Sequence, residues 1–143
     1  MKQVGFSLLL LLALQFMGCQ RQTPEALFRE AVTNAIPPSV QIVDATRKSR
    51  SGSIEIWLHF KGSKQDLATI LKSEQFRDLG ESQLNYSAYS PPAWWTPEKL
   101  GAGRKWLDCE TSPHFRRDHS AKDIVVSERQ DEAYFLLRSW YNY

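Results

Sequence analysis

The chain has 143 residues, 42% of them hydrophobic, and a formal net charge of +2 at neutral pH. This length suits one ordinary domain rather than two, and the nearly balanced charge argues against a protein that binds nucleic acid mainly through phosphate contacts. With only two cysteines, the sequence also excludes a disulfide-rich scaffold.

The first eighteen residues are much more apolar than the rest of the chain. Twelve of them are apolar, one is charged and none is acidic. Lys2 gives a basic start, an apolar run extends from Phe6 to Leu14, and the small residue Gly18 precedes Cys19. This order is typical of a secretory signal, and the run is too short for a membrane-spanning helix. We therefore predict that residues 1–18 are a signal peptide that is cleaved.

The segment Phe16-Met17-Gly18-Cys19 resembles the lipobox of bacterial lipoproteins, in which a small residue stands immediately before a cysteine. Phe16 and Met17 are bulkier than that motif usually has at those positions. The resemblance implies that the peptide is cleaved before Cys19 and that acyl chains such as palmitate, attached to this residue, hold the protein at the membrane. Each buried methylene of such a chain contributes about 0.8 kcal/mol, so several chains make a stable anchor.

The same resemblance suggests where the protein resides. Gln20, rather than an aspartate, follows the cysteine, which favours the outer membrane, facing the periplasm, in an organism with two membranes. The rest of the chain resembles the small, single-domain envelope lipoproteins to which no function is assigned. Lipidation of Cys19 leaves Cys109 without a partner in the chain. Its alternation with charged neighbours favours an inert core cysteine over a reactive thiol.

After a lipidated tether over residues 19–22, the sequence predicts a folded domain over residues 23–143. Thr23-Pro24-Glu25 has the hydroxyl cap, the first-turn proline and the acid typical of a helix start. Apolar side chains follow at helical spacing, and Pro37-Pro38 ends this helix. A second helix is predicted from Ser63 to a closing Gly80.

Two-residue periodicity predicts the strands. Residues 40–45 and 53–60 alternate as an antiparallel hairpin around a basic turn over residues 47–52. A third strand is predicted over residues 105–110, and residues 123–127 and 132–140 form a closing hairpin. Both faces of the last strand are apolar, which indicates a central position. The sum is a single α+β domain with a mainly antiparallel sheet of about five strands and two helices packed on one face.

The most distinctive local segment is the run of prolines and indoles between the second helix and the third strand. Its candidate binding residues are Pro91, Pro92, Trp94 and Trp95. Because prolines stiffen the backbone, two adjacent indoles on this frame could stack on a sugar ring, a proline-rich peptide or a partner surface. The alternative is that the indoles complete the core at the end of a small sheet.

A second candidate surface is the basic pair Arg116 and Arg117. These side chains could contact lipid headgroups, phosphates or an acidic partner, although Asp118 and Asp123 nearby in sequence could neutralise them. His114 and His119 lie in a predicted loop at a spacing that matches no zinc signature. The sequence therefore predicts neither a metal nor a cofactor.

No sequence motif for catalysis is present: there is no nucleophile elbow, no phosphate-cradling glycine loop and no metalloprotease motif. Glu55 and His59 share one face of a predicted strand, but a strand places them about 13 Å apart, too far for a direct catalytic pair. The favoured hypothesis is a non-enzymatic, lipid-anchored envelope protein that binds a protein or an envelope component, and not nucleic acid. The alternatives are an inhibitor or immunity protein against a toxin or wall-degrading enzyme, and a small periplasmic hydrolase.

Overall fold

The computed structural model describes residues 22–73, 76–78, 89–100, 104–107 and 118–141. The predicted signal peptide over residues 1–18, the lipidation residue Cys19 and the unpaired Cys109 lie outside these ranges. Within the ranges, no helix is long and apolar enough to cross a membrane.

Both helices begin with the side-chain caps that the sequence predicts. Helix α1 (Pro24–Ala31) follows Thr23, whose side-chain oxygen accepts a hydrogen bond from the backbone in the first turn. Helix α2 (Lys64–Ser73) follows Ser63, whose hydroxyl oxygen likewise accepts from a first-turn amide. The polar caps satisfy backbone groups that have no partner inside the helix.

Each helix is shorter than its apolar pattern predicts. Helix α1 ends well before Pro37, and α2 ends at Ser73 rather than at Gly80. Val32 remains buried just beyond α1, and Phe76, beyond α2, packs against Phe135 with ring centroids 6.3 Å apart. Apolar side chains therefore continue into the core after each helix has ended, which is why the pattern overestimates helix length.

The α+β class and the antiparallel sheet are confirmed, but the predicted count of about five strands is wrong. Among the described residues, the sheet has four long strands of nine or ten residues, and two short segments extend one edge. The spatial order is β1-β2-β6-β5-β4-β3, with every neighbouring pair antiparallel. In chain order the strands are β1 (Gln41–Arg50), β2 (Ser53–Lys61), β3 (Arg77–Asp78), β4 (Arg104–Leu107), β5 (Asp118–Val126) and β6 (Glu132–Tyr141).

The difference in strand count has a local cause. Of the predicted strand over residues 105–110, residues 105–107 belong to β4, and residues 108–110 lie outside the described part of the chain. The two described residues of β3 are too few to show a two-residue period. The first hairpin also differs, because β1 continues to Arg50 and the turn is only Ser51-Gly52. Gly52 has a φ of 75°, a left-handed conformation that glycine adopts without steric cost.

One face of the sheet packs against both helices, as predicted. Phe28 from α1 meets Phe60 from β2 edge to face, with ring centroids 5.1 Å apart. This first core also contains buried apolar side chains from α1, α2, β2, β5 and β6: Leu27, Ala31, Leu67, Ile70, Ile56, Leu58, Ile124, Val126, Ala133 and Phe135. Strand β6 lies between β2 and β5, which confirms its predicted central position.

The opposite face of the sheet, called here the second face, has its own smaller core. Trp57 of β2 and Tyr134 and Leu136 of β6 are buried there beneath residues 89–100, called here the aromatic loop. The aromatic loop ends in a short 3₁₀ helix, Pro97–Leu100. Polar and charged side chains lie on the second face on both sides of this core.

Candidate ligand-binding site

The aromatic loop packs its second indole into the domain. Trp95 is only 6% exposed, and its ring meets Trp57 edge to face with centroids 4.7 Å apart and Tyr134 with centroids 5.3 Å apart. Trp94 is half-buried, 6.1 Å from Trp95 between ring centroids. Adjacent in sequence, the two indoles thus have different environments. Trp95 belongs to the second core, whereas Trp94 keeps part of its surface in solvent.

Polar contacts fasten the aromatic loop to the sheet. Lys48 of β1 donates a hydrogen bond to the carbonyl of Ser90 and lies 5.9 Å from the ring centroid of Trp57. At the other end of the loop, the hydroxyl groups of Thr96 and Tyr134 are 3.2 Å apart and share a hydrogen bond. Pro91 and Pro92 are half-buried between these two attachments. The prolines therefore stiffen a segment that the sheet already holds at both ends.

Beside the aromatic loop, at the β1–β2 hairpin end of the second face, lies a cavity of about 360 Å³, called here the hairpin-end cavity. This volume is within the range of small-molecule sites. Two aromatic side chains contribute to its wall, and Trp140 is 37% exposed. The lining residues are Arg50, Ser53, Ile54, Glu55, Tyr89, Arg138, Ser139 and Trp140.

A guanidinium group in this lining is held on two sides. Nη2 of Arg138 donates to Oδ2 of Asp123 at 3.0 Å, and Nη1 donates to the hydroxyl oxygen of Tyr89 at 2.6 Å. The Arg138 side chain is 18% exposed and that of Asp123 only 3%. The guanidinium carbon also lies 4.6 Å from the centroid of the Tyr89 ring. These contacts orient Arg138 without a ligand, which lowers the entropic cost of binding one.

Glu55 lies between two strands on which its register partners are basic residues. Glu55 is 7% exposed and accepts a 3.2 Å hydrogen bond from the indole nitrogen of Trp57. Its register partners are Lys48 on β1 and Arg138 on β6. Opposite charges on neighbouring strands stabilise each other, so the lining combines a carboxylate and guanidinium groups with aromatic rings. Such a lining both donates and accepts hydrogen bonds.

A second polar cluster lies at the other end of the second face. Nε2 of His59 is 2.6 Å from Oε1 of Glu132, and Nδ1 is 3.5 Å from Oδ2 of Asp44. The imidazole is stacked on Tyr134, with ring centroids 4.2 Å apart. Glu55 and His59 share a face of β2, as predicted, but their side chains have separate partners. The His59 cluster thus orients an imidazole and joins three strands.

Arg116, Arg117 and His114 lie outside the described residues. The prediction that His119 lies in a loop is wrong, because it belongs to β5, where its register partner is Trp140. Within the described part of the chain, no group of three or more histidine, cysteine, aspartate or glutamate side chains is arranged to hold a metal ion.

Sequence reasoning missed the residues of the hairpin-end cavity. A usable signal was present in β6, where Arg138 follows Tyr134 and Leu136 at the same two-residue spacing. A charged residue on a strand whose two faces are both apolar is expected to be partly buried and therefore paired. The partner, Asp123, could not be named because the register between β5 and β6 is a property of the folded sheet.

No protein-family model, curated protein or solved structure matches this chain. Function is therefore inferred from the geometry and chemistry of the site itself.

Proposed function

We propose that this chain is a lipid-anchored protein of the bacterial envelope, held at the membrane through Cys19, whose domain binds an envelope component without catalysing a reaction. The hairpin-end cavity is the observation that carries the proposal. It combines aromatic walls with a guanidinium that Asp123 and Tyr89 already hold in place. Convergent polar groups in a concave site are the usual basis of specific small-ligand recognition.

The start of the described chain supports close attachment to a membrane. Nη1 of Arg47 donates to the side-chain oxygen of Gln22 at 2.9 Å and to the carboxylate of Glu30 at 2.8 Å. Only two residues separate Gln22 from Cys19, and three extended residues span about 10 Å. An acyl group on Cys19 therefore places the domain next to the lipid surface, where envelope components are its neighbours.

Binding fits the lining better than catalysis does. Arg138 is engaged with Asp123 and Tyr89, and Glu55 accepts from Trp57, so these groups are held in fixed orientations. Among the described residues, the lining contains no histidine to activate a serine hydroxyl, and the carboxylate of Glu55 is occupied by the indole nitrogen of Trp57. Charged groups in fixed orientations beside aromatic walls are suited to binding a ligand without altering it chemically.

Metabolic labelling tests the anchor. Cells that express the full chain and grow with radioactive palmitate are expected to yield a labelled protein in the membrane fraction. The Cys19→Ser variant is expected to take up no label, because the acyl-accepting thiol is absent. Label on the Cys19→Ser protein at the wild-type level would contradict the assignment of the anchor.

Photo-crosslinking in living cells tests the binding site. A photoreactive phenylalanine analogue replaces Trp140 at the hairpin-end cavity or, as the control, Arg129, which is exposed in the β5–β6 turn at the other end of the sheet. Irradiation is expected to give an adduct with an envelope component from position 140 only. The same adducts from both positions, or none from position 140, would show that the cavity is not the binding site.

A further inference from the structure

We infer that the ligand of the hairpin-end cavity is a saccharide unit that carries a carboxylate. This inference rests on the proposed binding function and names its ligand class. The volume of the cavity, its aromatic wall, its hydrogen-bonding groups and the charge at its rim all suit such a ligand.

The volume and the walls suit a single ring. At about 360 Å³ the cavity is near the lower end of the range for small-ligand sites, about 300–1,000 Å³. Trp140 and Val43 are the exposed large hydrophobic side chains of the described chain, and Trp140 is the one that lines the cavity. An indole face accepts the apolar C–H face of a sugar ring while its surroundings stay hydrated.

The polar lining suits a ligand rich in hydroxyl groups. Glu55 offers carboxylate oxygens that accept hydrogen bonds, and Arg138 offers N–H groups that donate them. Ser53, on the same face of the sheet, adds a hydroxyl group that can do either. A purely apolar ligand would displace the water bound to these groups without offering hydrogen bonds in its place, which would lower its affinity. Sugar hydroxyls replace those bonds.

The rim of the cavity favours an acidic sugar over a neutral one. Arg50 is exposed and lines the cavity, and among the described residues it has no ion-pair partner. Arg138, in contrast, is paired with Asp123. Arg50 is therefore the guanidinium of the lining that no carboxylate of the described residues engages. Arginine binds carboxylates through two parallel hydrogen bonds, which a carboxylate on the sugar ring supplies.

NMR titration of the full chain in detergent micelles tests this inference with glucuronate, glucose and acetate as probes. Glucuronate is expected to bind about tenfold more tightly than glucose, because one charge-assisted pair is added. Acetate, which lacks a ring, is expected not to bind measurably. Equal affinities for glucuronate and glucose would overturn the role of the carboxylate.

The affinities of three variants for glucuronate and glucose distinguish the contact with the carboxylate from the contact with the sugar ring. Arg50→Gln is expected to weaken glucuronate about tenfold and leave glucose unchanged, because it removes only the charged pair. Trp140→Ala is expected to weaken both sugars by a similar factor, and the matched control Arg129→Gln neither. Failure of glucuronate to bind the folded protein, or binding insensitive to both cavity variants, would overturn the inference. If adducts still form from position 140 in cells, the proposed binding function survives while the ligand class is wrong.

Discussion

The Trp57→Ala variant is expected to lose about 3–5 kcal/mol of unfolding free energy, the range for truncating a buried aromatic side chain. Trp57 is completely buried, meets Trp95 edge to face and forms a cation–π contact with Lys48. Its removal leaves a cavity under the aromatic loop and takes away the surface on which Trp95 rests. Urea unfolding followed by circular dichroism measures the loss.

The matched control is Trp94→Ala, because Trp94 is the neighbouring indole of the same loop and is only half-buried. Its expected cost is smaller, about 1–2 kcal/mol. If the two variants were equally stable, or if Trp94→Ala were the less stable, the assignment of Trp57 and Trp95 to a second core would be wrong.

The Asp123→Asn variant is expected to lose about 3 kcal/mol, since it leaves the partly buried guanidinium of Arg138 without its counter-charge. The comparison is Glu30→Gln, which removes the partner of Arg47. That pair is more exposed, with side chains 38% and 28% accessible, and such surface pairs contribute only about 0–1 kcal/mol. Chemical denaturation of both variants measures the difference.

A double variant separates two contributions to the lost stability: the missing attraction between the charges and the cost of burying an unpaired guanidinium. Asp123→Asn combined with Arg138→Met removes the guanidinium as well, so part of the lost stability should return. No recovery in the double variant, together with a cost for Asp123→Asn no larger than that of Glu30→Gln, would show that this ion pair does not organise the hairpin-end cavity.

Local signals predict much of this fold. Alternating apolar residues locate β2 and β6, and the hydroxyl caps at Thr23 and Ser63 locate the first residues of both helices. These signals succeed because capping and burial act on residues that are close in sequence. The ends of the helices and the shortest strands were not predicted correctly, because tertiary packing sets them.

The candidate site was less predictable than the fold. The sequence predicts Trp94 and Trp95 together as candidate binding residues. The structure, however, buries Trp95 and leaves Trp94 half-buried. The groups of the hairpin-end cavity come from distant parts of the chain, since Glu55 and Arg138 meet only when β2 pairs with β6. Pairing between strands that are far apart in sequence depends on the sheet order, which no local pattern specifies.

This arrangement gives the aromatic loop a structural role, and the recognition role is the one that we propose for the hairpin-end cavity. The loop covers the second core through Trp95, while Trp140 remains exposed at the cavity. We expect a loop that is fastened to the sheet at both ends to keep the neighbouring cavity in shape. The role of the loop therefore depends on the burial of Trp57 and Trp95, and the role of the cavity depends on the exposure of Trp140.

Hydroxyl-radical footprinting with mass spectrometry, applied to the folded full chain, measures the exposure of each indole directly. The expected result is ready oxidation of Trp94 and Trp140, with Trp57 and Trp95 protected until the protein unfolds. Oxidation of Trp95 as fast as Trp94 would contradict the claim that Trp95 anchors the aromatic loop in the second core. Protection of Trp140 in the free protein would contradict the claim that the hairpin-end cavity is open to solvent.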